Sequence, residues 1–185
     1  ADGTFTAETA LKVVTGYQGC VVGWNALAVK NGETAHATIA YDETEDAMKV
    51  DLLATGAWYQ KALVYRTPDN AGSLGKYKLS FKVKSTNGKD IIVRVMRGQT
   101  KDVFTSNAYF CTGTNGFTGQ ALTAKTTDAY ESKVVNIDLS KITNATTAAT
   151  AADLATGITI SFSTKTVTDA ETYYIKDVKL VEVKE

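Results

Sequence analysis

The stretch from Lys76 to Lys84 (KYKLSFKVK) alternates between polar and apolar side chains at every step. A strand sends successive side chains to opposite faces, so Tyr77, Leu79, Phe81 and Val83 share one face and the lysines and Ser80 share the other. A helix would scatter the same residues around its circumference. The pattern predicts a strand with one buried and one wet face, as in an antiparallel sheet. Lysines on the wet face suit a strand guarded against edge-to-edge pairing.

Similar patterns recur along the chain. Strands are expected at His36–Tyr41, Met48–Leu53, Trp58–Arg66, Asp90–Arg97, Tyr109–Cys111, Lys133–Leu139, Ile158–Ser163 and Tyr173–Val183. Ala10–Val14 reads as a strand or a turn of helix, and Tyr17–Trp24 as a loop entering a strand. Both faces of Trp58–Arg66 are mixed, so periodicity does not say which is buried. Asn31-Gly32 and Asn87-Gly88 are hairpin-turn dipeptides. The second makes Asp90–Arg97 the expected antiparallel partner of 76–84, with Ile91, Val93 and Val95 on its core side. Asp42–Asp46 reads as a surface turn, and Thr67–Gly75, which holds the only proline, as a loop. The Ala/Thr-rich stretch 142–156 is either a short helix or a loop. Many short strands and almost no helix indicate an all-β, single-domain β-sandwich or jelly roll spanning residues 1–185.

Composition narrows the function classes. Formal net charge is zero, so no global field draws in nucleic acid or an anionic membrane. The charges are uneven: 33–51 is mostly acidic and 76–101 mostly basic, as expected of two solvated faces that neighbour each other. No apolar run is long enough for a membrane-spanning helix. The chain starts at Ala1, as a mature or trimmed product would. Cys20 and Cys111 have the spacing of neither a metal knuckle nor a redox pair. Bridged, they would close a long loop worth about 4–5 kcal/mol; two separate buried thiols are the expectation, since a core of this size needs no staple.

Three pieces, in order, resemble carbohydrate-binding modules of the family 4, 9 and 22 kind, which are galactose-binding-like jelly rolls. They are Met48–Gln60, ending Thr-Gly-Ala-Trp-Tyr-Gln; Gly75–Lys84; and Tyr173-Tyr-Ile-Lys-Asp-Val-Lys-Leu180. The resemblance implies two packed antiparallel sheets and a secreted or cell-surface module that binds glycans and performs no chemistry. Such modules often hold calcium between an N-terminal glutamate and closing aspartates. Here Thr6 stands in the glutamate place and Lys176 replaces the first aspartate, leaving Asp177. Calcium needs six to eight oxygens, so no metal is expected, and the Lys176 ammonium is expected to pair with Asp177 instead.

Catalysis finds little support. His36 is the only histidine and has no nucleophile elbow or Cys-His signature around it. No catalytic residue, metal ligand or cofactor is expected. Sugar rings pack their C–H faces on Trp and Tyr, while amide and guanidinium groups bond the hydroxyls. The candidates for that work are Trp58, Tyr59 and Gln60, with Arg94, Tyr109, Phe117 and Trp24; at least one of Trp58, Tyr59 and Tyr109 should be exposed. The expected partner is a glycan, with no nucleic acid, and the module is expected to act as a monomer. Two other readings stand beside this one: a structural or adhesion domain on a partner protein, marked by a flat apolar patch, and a small glycoside hydrolase or lyase using two facing carboxylates, with Glu43, Glu45 and Asp46 as the acidic candidates.

Overall fold

The structure is a computed structural model that describes residues 3–6, 11–15, 20–29, 36–53, 61–98, 109–113, 119–126, 128–142, 147–164 and 171–184. The first strands are β1 (Gly3–Phe5), β2 (Leu11–Thr15), β3 (Gly23–Val29), β4 (Ala37–Asp42), β5 (Ala47–Leu52), β6 (Ala62–Arg66) and β7 (Lys76–Ser85). There follow β8 (Asp90–Arg97), β9 (Phe110–Thr112), β10 (Gln120–Thr123), β11 (Glu131–Ile142), β12 (Thr147–Ala148), the single turn of helix α1 (Ala151–Leu154), β13 (Ile158–Thr164) and β14 (Glu171–Glu182). They form two sheets. One runs β12-β11-β7-β14-β5-β4, with β1 added on β14 and β9 on β11; the other runs β10-β8-β13-β6-β3-β2. All pairings are antiparallel except β2 with β3. The architecture is the all-β sandwich of jelly-roll type.

The alternation in β7 translates directly into burial. Tyr77, Leu79, Phe81 and Val83 are shut inside, and Lys76, Lys78 and Lys82 are exposed. The buried rows of the two sheets meet in one core. Phe81 from the eight-stranded sheet meets Phe162 from the six-stranded sheet edge to face, with centroids 5.0 Å apart, an arrangement worth about 0.5–1.5 kcal/mol beyond its buried area. The Tyr173 hydroxyl donates to the Phe162 carbonyl across the same gap at 3.2 Å.

β7 lies inside its sheet, between β11 and β14. One expectation about it is corrected: Asp90–Arg97 is not its hairpin partner, since β8 belongs to the other sheet. Gly88 takes φ +62°, and its N–H donates to the Ser85 hydroxyl at 2.7 Å, but the link crosses between sheets. The physical reason lies in β8 itself. Ile91, Val93 and Val95 face the core as expected, yet Ile92 and Met96 on its other face are buried too. A strand apolar on both sides suits an inner position better than one beside a wet lysine face.

Other differences are smaller. Ala10–Val14 resolves into β2, and β1, β10 and β12 are strands too short to announce themselves. Among the described residues the stretch 142–156 gives the end of β11, the two residues of β12 and α1, whose start is fixed by the Asp153 carboxylate accepting the Thr150 N–H and hydroxyl at 2.8 and 2.9 Å. In β6, Leu63 joins the main core, while Ala62 and Val64 form a second cluster with Cys20 and Leu27 on the outer face. The acidic and basic runs do meet: β5 and β7 flank β14, and Lys84 pairs with Glu45 at 2.7 Å. Cys20 and Cys111 are both buried free thiols. Asn31-Gly32 lies outside the described residues.

Candidate functional site

The outer face of the six-stranded sheet is the unusual surface. Ile158, Ile160 and Phe162 of β13 point to the core, so Thr159, Ser161 and Ser163 point away from it. A sheet face turned from the core is normally wet, yet all three are buried. The register sets out what lies beside them. Ser161 is opposite Arg94 on β8 and Val64 on β6, and Val64 is opposite Asn25 on β3. Thr159 is opposite Met96 and Arg66, and Ser163 is opposite Ile92.

These polar groups differ in how well they are satisfied. The Asn25 amide donates to the carbonyls of Val21 and Gly23 at 2.8 Å each and accepts the Val21 N–H at 3.0 Å. The Arg66 guanidinium donates to the carbonyls of Thr156 and Cys20 and pairs with Asp69. Both side chains fix local backbone. By contrast, Thr159 Oγ1 and Ser161 Oγ have no hydrogen-bond partner. A buried hydroxyl left in that state costs about 1–3 kcal/mol. Next to them Arg94 is half-buried and donates from Nη1 to Ser163 Oγ at 2.8 Å. Burial lowers its affinity for its proton, and the nearby Tyr109 phenol acts in the opposite sense. Gly119, the residue before β10, closes against this row: a Cβ there would lie 2.7 Å from the Val93 carbonyl oxygen and 2.8 Å from Arg94 Cγ.

The sites expected from sequence fare unevenly. Arg94 and Tyr109 are brought near each other, and Tyr109 bridges to Met96. Tyr109 is buried, so its ring is not an open platform. Trp24 is corrected to a core residue. It is 1% exposed, packs edge-on against Tyr65 at 5.1 Å, and donates its indole N–H to the Thr6 carbonyl at 2.9 Å. The cause was legible: Trp24 and Ala26 alternate with Asn25, and the larger ring took the core side. Trp58, Tyr59, Gln60 and Phe117 lie outside the described residues. Thr159, Ser161 and Ser163 were not singled out from sequence. Their signal is that β13's polar side carries hydroxyls and no charge, unlike the lysine side of β7.

The region compared with the calcium site of the resembling modules is arranged differently from expectation. Lys176 does not pair with Asp177. Its Nζ donates to the Glu45 carbonyl at 2.7 Å and sits 4.2 Å from the Tyr130 ring centroid. Asp177 pairs with Lys82 at 2.8 Å. The residue has φ +53° where the β7–β14 register shifts, which turns its carboxylate toward β7. Among the described residues no group of three or more His, Cys, Asp or Glu side chains is placed to hold a metal. Glu45 is no free surface acid: Lys84 and the Tyr130 hydroxyl (3.0 Å) both engage it and hold its carboxyl below the usual range.

Comparison with known proteins gives a fold and no family. No protein-family model matches the chain, and no curated protein does. Among solved structures, a Bacteroides thetaiotaomicron VPI-5482 protein to which sugar binding has been provisionally assigned aligns with a TM-score of 0.72 at 19% identity, over 96% of both chains. A CBM4 structure aligns with a TM-score of 0.48 at 18% identity, over 80% of this chain and 92% of that one. A module described as CBM1 of BiXyn10A aligns with a TM-score of 0.48 at 15% identity, over 80% of this chain and 82% of that one. The first of these likenesses places the chain in the same β-sandwich architecture.

Proposed function

We infer that the protein is a non-catalytic glycan-binding module, secreted or displayed at a cell surface, whose ligand site is the outer face of the six-stranded sheet. The observation that carries this reading is the pair of orphaned hydroxyls on Thr159 and Ser161 beside Arg94. Buried polar groups without partners are rare in native proteins, and a saccharide offers hydroxyls that donate and accept. The sequence resemblance and the sugar-binding assignment of the B. thetaiotaomicron neighbour lend support. The described carboxylates are largely engaged elsewhere: Glu45 by Lys84 and Tyr130, Asp51 by Lys49 and Thr172, Asp153 by Arg97 and Thr150. That leaves little for a two-carboxylate hydrolase. The exposed apolar residues Val22, Leu53, Leu74 and Val134 sit on separate elements, which disfavours a flat adhesion patch.

Affinity in this reading is weak, with Kd about 10 µM to 1 mM. Because the hydroxyls are shielded, ligand reaches them only when that face opens, so association is slower than in a preformed groove. The test separates binding from stability. Ser161→Ala removes a hydroxyl that bonds nothing in the free protein, so its unfolding midpoint stays the same or rises. Its affinity for a neutral glycan identified on an array falls by about 1 kcal/mol, and Arg94→Gln weakens binding further. Unchanged affinity in both variants would overturn the assignment of this face.

A further inference from the structure

The outer face of the eight-stranded sheet carries seven lysines: Lys49 on β5, Lys76, Lys78, Lys82 and Lys84 on β7, and Lys176 and Lys179 on β14. Five carboxylates share that face, on Asp42, Glu45, Asp51, Asp138 and Asp177. Lys84, Lys49 and Lys82 are matched to Glu45, Asp51 and Asp177 at 2.7, 3.0 and 2.8 Å. Lys78 and Lys179 have no ion-pair partner among the described residues.

This placement is not explained by the fold. Lysine is depleted in strands. Guarding an edge does not account for it, because β7 and β14 are interior strands. Lys82 even stands directly opposite Lys176, and like charges in that position are destabilising. Lys78 is opposite Val181 and Lys179 opposite Ser80, which makes the two lysines diagonal neighbours whose strand positions lie about 7–8 Å apart. Beside Lys78 the surface dips into a cleft of about 270 Å³ walled by Lys76, Asn136, Asp138 and Val183, with Gly113 at its rim. Further along the same face, the Tyr130 and Tyr174 rings lie 4.9 and 5.0 Å from Lys84 Nζ.

We propose that this face is a second binding site, for an anionic polysaccharide bearing carboxylates, with Lys78 and Lys179 pairing to its uronate groups. Asn136 and Asp138 hydrogen-bond the sugar hydroxyls in the cleft. The site is on the opposite sheet from Arg94 and stands whether or not the first site binds glycan. Charge density selects the polymer. Duplex DNA carries a charge every ~1.7 Å, far denser than two unmatched ammoniums on a face that also holds five carboxylates. An anionic membrane favours exposed apolar side chains between the cations, whereas here Val134 is exposed, Val181 is half-buried, and Ser80, Ser132 and Asn136 lie among them.

The experiment is isothermal titration with polygalacturonic acid at low and high salt, using the wild type, Lys78→Glu/Lys179→Glu and Arg94→Gln. The wild type binds at low salt and weakens as salt rises. The double variant, with an unchanged unfolding midpoint, binds about tenfold more weakly or worse, and Arg94→Gln binds as the wild type does. The proposal is overturned if the wild type ignores the polyuronate, if the double variant retains its affinity, or if Arg94→Gln is the variant that loses it. Tighter binding to duplex DNA or to phosphatidylserine vesicles than to the polyuronate overturns it as well. Failure of neutral-glycan binding alone bears only on the first site.

Discussion

Lys61 brings an ammonium into a place with no solvent and no acceptor: the residue is fully buried and its Nζ has no hydrogen-bond partner. Burial accordingly pushes its pKa below the ordinary lysine value. Replacing it with methionine keeps the packed stem and removes the polar head. Lys61→Met should gain about 1–3 kcal/mol in urea unfolding at neutral pH. The pH dependence has a definite sign. The native state releases the Lys61 proton more readily than the unfolded chain does, so wild-type stability increases with pH between its lowered native pKa and the ordinary lysine value of about 10.4. The advantage of Lys61→Met should therefore shrink as titration is carried upward toward that value. An advantage constant across pH would mean that something other than the buried charge is at work. The aromatic candidates give the opposite lesson about single residues. Trp24 carries every group that suits a sugar platform, but a ring that can also fill the core is claimed by the core, and its indole N–H finds the Thr6 carbonyl.

At the scale of elements, β7 and β13 look alike in sequence and differ in surroundings. Both alternate, and in both the apolar side was readable. What alternation leaves open is the fate of the polar side: solvent for the lysines of β7, burial for the hydroxyls of β13. Charge content is the discriminator, since an unpaired lysine resists desolvation far more than a serine does. The hairpin expected at Asn87-Gly88 failed for a related reason. The dipeptide fixes a local bend, but sheet membership is decided by which strand needs cover on both faces, and β8 does. Gly119 joins local backbone to the candidate site. It has φ +105°, and an added Cβ would press on the Val93 carbonyl and the Arg94 side chain. Gly119→Ala should destabilise by about 1–3 kcal/mol, and under the proposed glycan-binding reading the part of affinity that depends on Arg94 should fall with it. A neutral effect on chemical unfolding would show that β10 does not hold Arg94 in place.

The molecule as a whole was more legible than its site. Alternation alone yields the sandwich because a period of two forces one buried face per strand, and two such faces must cover each other. The pairing order was not readable, because neighbours in a sheet are chosen by burial across the sequence. The candidate site was harder still, since the one signal of its hydroxyls, a polar strand side without charge, does not say what lies beside them. The cysteines allow a check at this scale. Cys20 and Cys111 are buried thiols, so a thiol reagent should count none in the native protein and both in denaturant, and added reductant should leave the unfolding midpoint unchanged. A midpoint that drops with reductant would reveal a disulfide.

The position of β14 has one more implication. It sits between β7 and β5 and also receives β1, with Gly3 opposite Leu180 and Tyr77 opposite Glu182. The strand of this sheet that comes latest in sequence thus fills its middle, and a growing chain cannot zip the sheet shut before β14 is made. Such distant pairings place folding in the range of about milliseconds to seconds. Until then the apolar rows of β5 and β7 wait for the strand that separates them, and a chaperone that holds the growing polypeptide would find its substrate there.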